Sequence, residues 1–247
     1  MKVQTNDLIL GDSLKVLSGM ASETFDALVT DPPYSSGGLH IGARQQVPSS
    51  KYQQGCSQSL HREFLGDHRD QRSHMLWMTL WLSECWRLLK DGAPVCLFSD
   101  WRQLPITTDA LQAAGFSWRG IAVWDKTEGV RPQLGRFRAQ AEYIVWGSKG
   151  GMPLDRKAPV LPGVIRESVR KADKHHMTGK PTELMRQVVK ICEPGGRILD
   201  PFAGSGTTLV AAALEGYQWV GCELTAHYHK VARERLSAIG QAPLSMH

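Results

Sequence analysis

Asp200-Pro201-Phe202-Ala203-Gly204-Ser205-Gly206-Thr207-Thr208 is the stretch that decides how this chain folds. The apolar run Arg197 to Asp200 ahead of it reads as a strand, and Gly206 to Glu215 behind it reads as a helix closed by Gly216. A second strand, Tyr217 to Cys222, and a helix from Thr225 to Ala238 capped by Thr225 complete a βαβ unit of the nucleotide-binding kind. Glycines where a strand becomes a helix let the backbone approach a ligand closely at a helix N-terminus. The letters exclude two common versions of this turn. A phosphate-binding P-loop requires a lysine after its glycines, and none follows; the third glycine of a dinucleotide fingerprint is replaced by Leu209. Glu223 ends the next strand, where a carboxylate can accept from both hydroxyls of a ribose, so a ribose without phosphates fits best.

Upstream, short apolar runs alternate with helix-period stretches, the pattern of an α/β sheet. Leu8 to Leu10 and Phe25 to Thr30 read as strands separated by a helix at Ser13 to Gly19. Residues 74 to 90 place Trp77, Leu80, Trp81, Cys85, Leu88 and Leu89 at three- and four-residue spacing and stop at Asp91-Gly92, which predicts an amphipathic core helix. Pro94 to Ser99, Trp118 to Trp124 and Ala141 to Trp146 are further strands, Gln103 to Ala114 is a helix, and another helix begins around Pro181 and halts at Pro194-Gly195-Gly196. Two stretches, Ser35 to Ser73 and Lys149 to Gly179, fall outside the pattern, and loops of that length are usually functional or disordered.

Composition bounds the function. A chain of 247 residues with 42% hydrophobic and 21% charged side chains is an ordinary globular one, without a run of eighteen apolar residues to cross a membrane. Met1 to Asp12 is too polar for a signal peptide, so the expectation is a cytoplasmic protein. Cys56, Cys85, Cys96, Cys192 and Cys222 stand far apart in odd number, which argues for reduced core thiols rather than disulfides or a zinc ribbon. His175-His176 and the histidines at 40, 61, 68 and 74, placed in the first loop, lack metal-ligand spacing, so no metal is expected. The net charge of +5 permits a polyanionic partner, and its distribution points to one: Lys149 to Lys180 carries eight basic and three acidic residues.

The second chemical constellation is Thr30-Asp31-Pro32-Pro33-Tyr34, again at the C-terminal end of a strand, where open α/β sheets place ligands. Consecutive prolines hold the backbone extended and present a carbonyl. An aspartate, that carbonyl and an aromatic ring suit a planar heterocycle with an exocyclic amine, which donates to Asp31 and to Pro32 while Tyr34 stacks on the ring.

Together, Asp31-Pro32-Pro33-Tyr34 and Asp200-Pro201-Phe202-Ala203-Gly204-Ser205-Gly206-Thr207-Thr208 closely resemble the two signatures of S-adenosylmethionine-dependent DNA amino-methyltransferases. The catalytic motif precedes the cofactor motif, as in the permuted β group of that family. Gly11-Asp12-Ser13, Gly179-Lys180-Pro181-Thr182 and Gly221-Cys222-Glu223 extend the match over almost the whole chain. The resemblance implies a single catalytic domain over residues 1–247: a doubly wound, mostly parallel seven-stranded sheet with inserted DNA-recognition loops at 35–73 and 128–179. It also implies that Asp31, Pro32, Pro33 and Tyr34 form the catalytic base pocket. Asp200, Phe202, Ala203, Gly204, Ser205, Gly206, Thr207, Thr208 and Glu223 would hold the cofactor, with Asp12 near its adenine and Lys180, Pro181 and Thr182 near its methionine end.

The implied reaction methylates an exocyclic amine of a flipped base, N6 of adenine first and N4 of cytosine as the alternative, because Asp at the first catalytic position goes mainly with adenine. The absence of a Pro-Cys dipeptide agrees with exclusion of ring-carbon methylation. Base flipping must be offset by backbone contacts, for which Arg131, Arg136, Arg138, Arg156, Lys157, Arg166, Arg170, Lys171 and Lys174 are the candidates. The expected partners are DNA and a second subunit, with any restriction nuclease on a separate chain. From another class, a catalytically silent DNA-binding module would share these motifs but transfer no methyl group.

Overall fold

The computed structural model describes residues 4–35, 70–169 and 179–241. Most of the first predicted loop lies outside these residues, as do Cys56, Arg170, Lys171, Lys174 and the His175-His176 pair. The described chain runs β1 (Asp7–Leu10), α1 (Ser13–Ser18), β2 (Ala27–Thr30), α2 (Gln71–Leu88), β3 (Pro94–Ser99), α3 (Leu104–Ala113), β4 (Ser117–Asp125), β5 (Ala141–Ser148), β6 (Val164–Arg166), α4 (Thr182–Val188), β7 (Arg197–Asp200), α5 (Thr207–Leu214), β8 (Gln218–Glu223) and α6 (Ala226–Gln241).

All eight strands form one sheet in the order β1-β8-β7-β2-β3-β5-β4-β6. β5 runs antiparallel to its neighbours β3 and β4, and the other pairings are parallel. The sheet thus has eight strands, one more than the seven expected. The addition is β6, whose three residues pair with β4 at the sheet's edge, from Val123 beside Val164 to Asp125 beside Arg166. Such a short strand, with only Ile165 buried, leaves no periodic signal in a basic loop. β5 and β6 also break the predicted recognition stretch 128–179 into a hairpin connection and a second segment.

Because β2 and β3 are covered on both sides, their residues are buried without alternation, as Ala27–Thr30 and Pro94–Ser99 are. Side chains nevertheless alternate between two cores. Ala27, Val29, Cys96, Phe98 and Ile198 pack with Leu184, Met185, Leu209 and Ala232 from α4, α5 and α6. Leu28, Val95, Leu97 and Leu199 pack on the opposite face with Leu17, Trp81, Cys85, Leu88 and Leu111 from α1, α2 and α3. Helix α2 begins earlier than its apolar period suggests, because Asp70 accepts from the backbone N–H groups of Arg72 and Ser73. His74 therefore belongs to this helix rather than to a loop, buried and stacked on Trp77.

Crucially for function, β7 and β2 are neighbours although they come from opposite ends of the chain. From this pair the strand order departs in both directions, so a crevice opens at their C-terminal ends. Both sequence constellations sit there.

Candidate active site

The turn after β7 is built from its glycines. Gly204 and Gly206 adopt positive φ of 54° and 81°, and a Cβ on Gly206 would stand 2.8 Å from that of Ala232. The Ala203 N–H donates to the Cys222 carbonyl, and the Gly206 N–H to the Ala203 carbonyl, which closes the turn onto β8. Glu223, 9% exposed, accepts from the Gly204 N–H at 3.0 Å through one oxygen and from the Thr225 N–H and hydroxyl through the other. The Gly11 N–H donates to the Glu223 carbonyl, which brings Asp12 alongside; the Asp12 carboxylate caps α1 by accepting from the Lys15 N–H. Phe202 packs between Trp77 at 5.2 Å and the edge of Trp81 at 4.9 Å. Asp12, Phe202, Gly204 and Glu223 thus converge on one end of the sheet, while Ala203, Ser205, Thr207 and Thr208 are buried within the turn and its helix.

Two contributors carried no motif signal. Arg235 of α6 donates to the Ser205 carbonyl at 2.7 Å and to the hydroxyls of Ser205, Thr207 and Thr182, stapling the glycine turn to the segment that opens α4. Trp77 reads from sequence as ordinary core, yet it is only half-buried and flanks Phe202.

Asp200 points inward instead of toward a ligand. It is 1% exposed, accepts from the Thr30 hydroxyl at 2.6 Å and from the Phe202 N–H at 3.1 Å, and burial pushes its carboxyl up to about 6. The Ser13 hydroxyl donates to the Pro201 carbonyl and fixes the other side of the turn.

Beside it lies an ionic cluster. Lys180 Nζ is 2.6 Å from Asp31 Oδ2, 2.9 Å from Glu142 Oε1 and 3.0 Å from the Tyr34 hydroxyl oxygen. That hydroxyl lies 2.6 Å from Asp31 Oδ1 and 2.7 Å from Glu142 Oε1, and Lys126 Nζ is 2.7 Å from Glu142 Oε2. Lys180, expected at the methionine end of a cofactor, pairs here with the proposed catalytic carboxylate. Pro181, buried, and Thr182, partly so, follow it at the start of α4. Tyr34 turns its hydroxyl into the cluster, with Lys180 5.1 Å from its ring centroid. Pro32 is buried and Pro33 partly so, which fixes the extended backbone between Asp31 and Tyr34. Burial raises the Asp31 carboxyl, against the pull of Lys180. Glu142 goes the other way, down to about 2, because Lys180 and Lys126 outweigh its burial. Burial and the two carboxylates push the Tyr34 phenol well above its ordinary value. A glutamate in the otherwise apolar strand Ala141 to Trp146 was the available signal for Glu142.

The basic candidates divide. Arg131, Arg136 and Arg138 lie exposed on the connection between β4 and β5, with the fully exposed Leu134 and Phe137 among them. Arg138 donates to the Glu128 and Val130 carbonyls and braces this loop. Lys157 is exposed, and Arg166 is exposed near Asp125 and Glu128. Arg156 differs: it is 13% exposed, pairs with Glu193 at 3.0 Å and donates to the Ile191 carbonyl, so its guanidinium is spent inside the protein. Among the described residues no group of three or more His, Cys, Asp or Glu side chains could hold a metal, and no helix is long and apolar enough to cross a membrane.

Comparison with known proteins places this geometry. The chain is 32% identical to YubD of Escherichia coli (strain K12), named as a methylase, over 95% of this chain and 91% of that protein. It is 29% identical to the type II methyltransferase M2.DpnII of Streptococcus pneumoniae, over 94% and 89%. Among solved structures it shares its fold with M1.HpyAVI in complex with SAM (TM-score 0.66, 20% identity, 93% of this chain and 98% of that one). The cytosine-N4-specific PvuII DNA methyltransferase is similar in the same sense (TM-score 0.69, 17% identity, 100% and 89%). The family model for DNA methylases matches residues 25–234, from the strand that leads to Asp31 into the helix beyond Glu223, and the chain belongs to that family.

Proposed function

We propose that the protein transfers the methyl group of S-adenosylmethionine to the N6 amine of adenine in DNA. The carrying observation is the adjacency of two strand ends: Asp31 follows β2, the glycine turn follows β7, and the two strands are hydrogen-bonded neighbours. A base amine at Asp31 and a methyl donor on the turn would meet in one crevice.

The residues present suit the donor. Glu223 is an enclosed carboxylate beside a glycine turn, with oxygen lone pairs for ribose hydroxyls. Phe202 offers an apolar ring, and Asp12 lies beside Glu223. When bound, S-adenosylmethionine supplies a methyl group on a sulfonium, whose departure as a neutral thioether drives the transfer. No protein group is methylated on the way.

The protein's part is to prepare the amine. An adenine amine spreads its lone pair into the ring, and hydrogen bonds from its two hydrogens to Asp31 and to the Pro32 carbonyl favour a pyramidal nitrogen aimed at the methyl carbon. In the resting chain each Asp31 oxygen accepts from one donor, Tyr34 or Lys180, and keeps a further lone pair for the arriving amine. The Tyr34 ring would stack on the flipped base while its hydroxyl stays on Asp31. Arg131, Arg136, Arg138, Lys157 and Arg166, with Arg170, Lys171 and Lys174 beyond the described residues, are the side chains we propose for phosphate and base-edge contacts, with the glycine turn and Lys180, Pro181 and Thr182 serving the cofactor. Cytosine-N4 is the second reading, favoured by the pocket's demand for an exocyclic amine rather than for a particular ring.

The test is transfer of labelled methyl from S-adenosylmethionine to unmethylated DNA, followed by digestion to nucleosides. N6-methyladenine is the expected product. N4-methylcytosine alone would replace the base assignment, and no transfer by protein that binds both ligands would favour a silent DNA-binding module.

A further inference from the structure

Methylating an amine leaves one proton too many. The nitrogen lone pair forms the N–CH3 bond, the C–S bonding pair stays on sulfur, and the nitrogen, now cationic, must release an N–H proton to a base. Two carboxylates, Asp31 and Glu142, share one cluster, and only one of them can serve.

We propose that Glu142 is a positioning residue for this reaction: pinned as an anion between Lys126 and Lys180, it holds the Tyr34 hydroxyl and Lys180 against Asp31, so that Asp31 is the carboxylate that takes the released proton. This role rests on the amine-methylation reading above.

The hydrogen inventory supports it. An ammonium has three N–H donors, and Lys180 has three acceptors in reach, Asp31 Oδ2, Glu142 Oε1 and the Tyr34 oxygen. Tyr34 then has one hydrogen and two carboxylate oxygens, at 2.6 and 2.7 Å. One of those contacts lacks a hydrogen while both carboxylates are ionised. A proton arriving on Asp31 supplies it: Asp31 donates to the Tyr34 oxygen, and Tyr34 turns its own hydrogen to Glu142. The permanent charge of Glu142 is what makes that arrangement favourable, and Lys126 at 2.7 Å keeps the charge in place. The same two residues form the base of the β4–β5 connection, where the Lys126 N–H bonds the Gln140 carbonyl, so the arm bearing Arg131, Arg136 and Arg138 springs from this pair. The charged or titratable groups facing Asp31 are Lys180, Glu142, Tyr34 and, at the end of β7, Asp200. Burial and Glu142 raise the Asp31 carboxyl, whereas two lysines depress Glu142, and a pair driven apart in this way divides into one proton acceptor and one fixed anion.

The experiment compares wild type, Glu142→Gln and Glu142→Asp. Carbon-13 NMR of the Asp31 carboxyl is followed against pH in the cofactor-free protein, and single-turnover methylation of DNA is timed in parallel. Glu142→Gln keeps the size but not the charge, and is expected to lower the Asp31 titration midpoint. It should slow transfer about tenfold or more, with cofactor affinity within about twofold of wild type. Glu142→Asp should restore the midpoint in part. An Asp31 titration unmoved in Glu142→Gln, or a moved titration with an unchanged transfer rate, overturns the role. Because the titration needs neither DNA nor cofactor, a wild type that methylates no DNA overturns the functional reading on a separate measurement.

Discussion

The hydroxyl of Thr30 donates to the carboxylate of Asp200 at 2.6 Å, a bond between residues 170 positions apart. Thr30 immediately precedes Asp31, the carboxylate we propose for the base amine, and Asp200 immediately precedes the glycine turn. The bond therefore locks the two halves of the crevice at their roots, where β2 and β7 pair. It also explains why Asp200 faces inward: its Oδ1 accepts from both the Thr30 hydroxyl and the Phe202 N–H and shapes the turn from beneath.

Buried this deeply, Asp200 makes stability depend on pH in an unusual direction. Its folded carboxyl titrates at about 6 against an ordinary 3.8, so the folded state prefers it protonated. The stabilisation is full below pH 3.8 and is lost as pH rises through 6. Roughly two units correspond to about 3 kcal/mol. Asp200→Asn keeps an acceptor for Thr30 and Phe202 but cannot ionise. Urea unfolding at pH 4 and pH 7 is expected to show wild type losing about that much relative to the variant. A difference that stays flat, or slopes the other way, refutes the assignment.

Gly206 has no room for a side chain. Its φ of 81° is a left-handed conformation, and a Cβ would press on Ala232 of α6. Gly206→Val is expected to cost about 1–3 kcal/mol and to weaken S-adenosylmethionine binding at least about tenfold, while DNA binding survives. Calorimetry with each ligand separates the two effects. Equal loss of both would mean that the turn supports the whole fold rather than the cofactor.

At Asp31 the expected damage is reversed. Asp31→Ala removes the acceptor for the amine and should lower transfer by about a hundredfold or more, with cofactor affinity nearly unchanged. The variant leaves Lys180 paired with Glu142 alone, so some stability is lost as well. Turnover close to wild type would move the base pocket elsewhere.

The contrast between motif and cluster explains what could be read in advance. The β7–α5–β8 unit and the strands β2 and β3 announce themselves because apolar runs end in turns with demanding backbone geometry, and Asp31 and Glu223 stand at those ends. Lys180 and Asp31 were found by their neighbours in sequence, but their pairing, and Glu142 with it, was not, since the three meet through tertiary packing. The short strand β6 and the staple made by Arg235 are likewise products of tertiary packing. A side chain 30 residues from its partner leaves no period and no motif. Arg156 shows the opposite error, because a basic run reads as one surface although a single member can be turned inward by a partner such as Glu193.

That division can be measured. Arg136 is exposed on the β4–β5 connection, where its guanidinium donates to the Gln133 side chain, whereas Arg156 is held by Glu193 and the Ile191 carbonyl. A phosphate contact contributes through counterion release, so Arg136→Ala should weaken binding to all duplex sequences alike and reduce the slope of log affinity against log salt by about one. Arg156→Ala should leave that slope unchanged and instead lower stability, because it removes the Glu193 ion pair and leaves the Ile191 carbonyl without this donor; a loss of about 1–3 kcal/mol is expected. Fluorescence anisotropy across a salt series, with thermal unfolding of the same preparations, reads both quantities. If Arg156→Ala changed the salt slope and Arg136→Ala changed only the melting temperature, the DNA-facing surface would lie on the Arg156 side of the sheet and not on the β4–β5 connection.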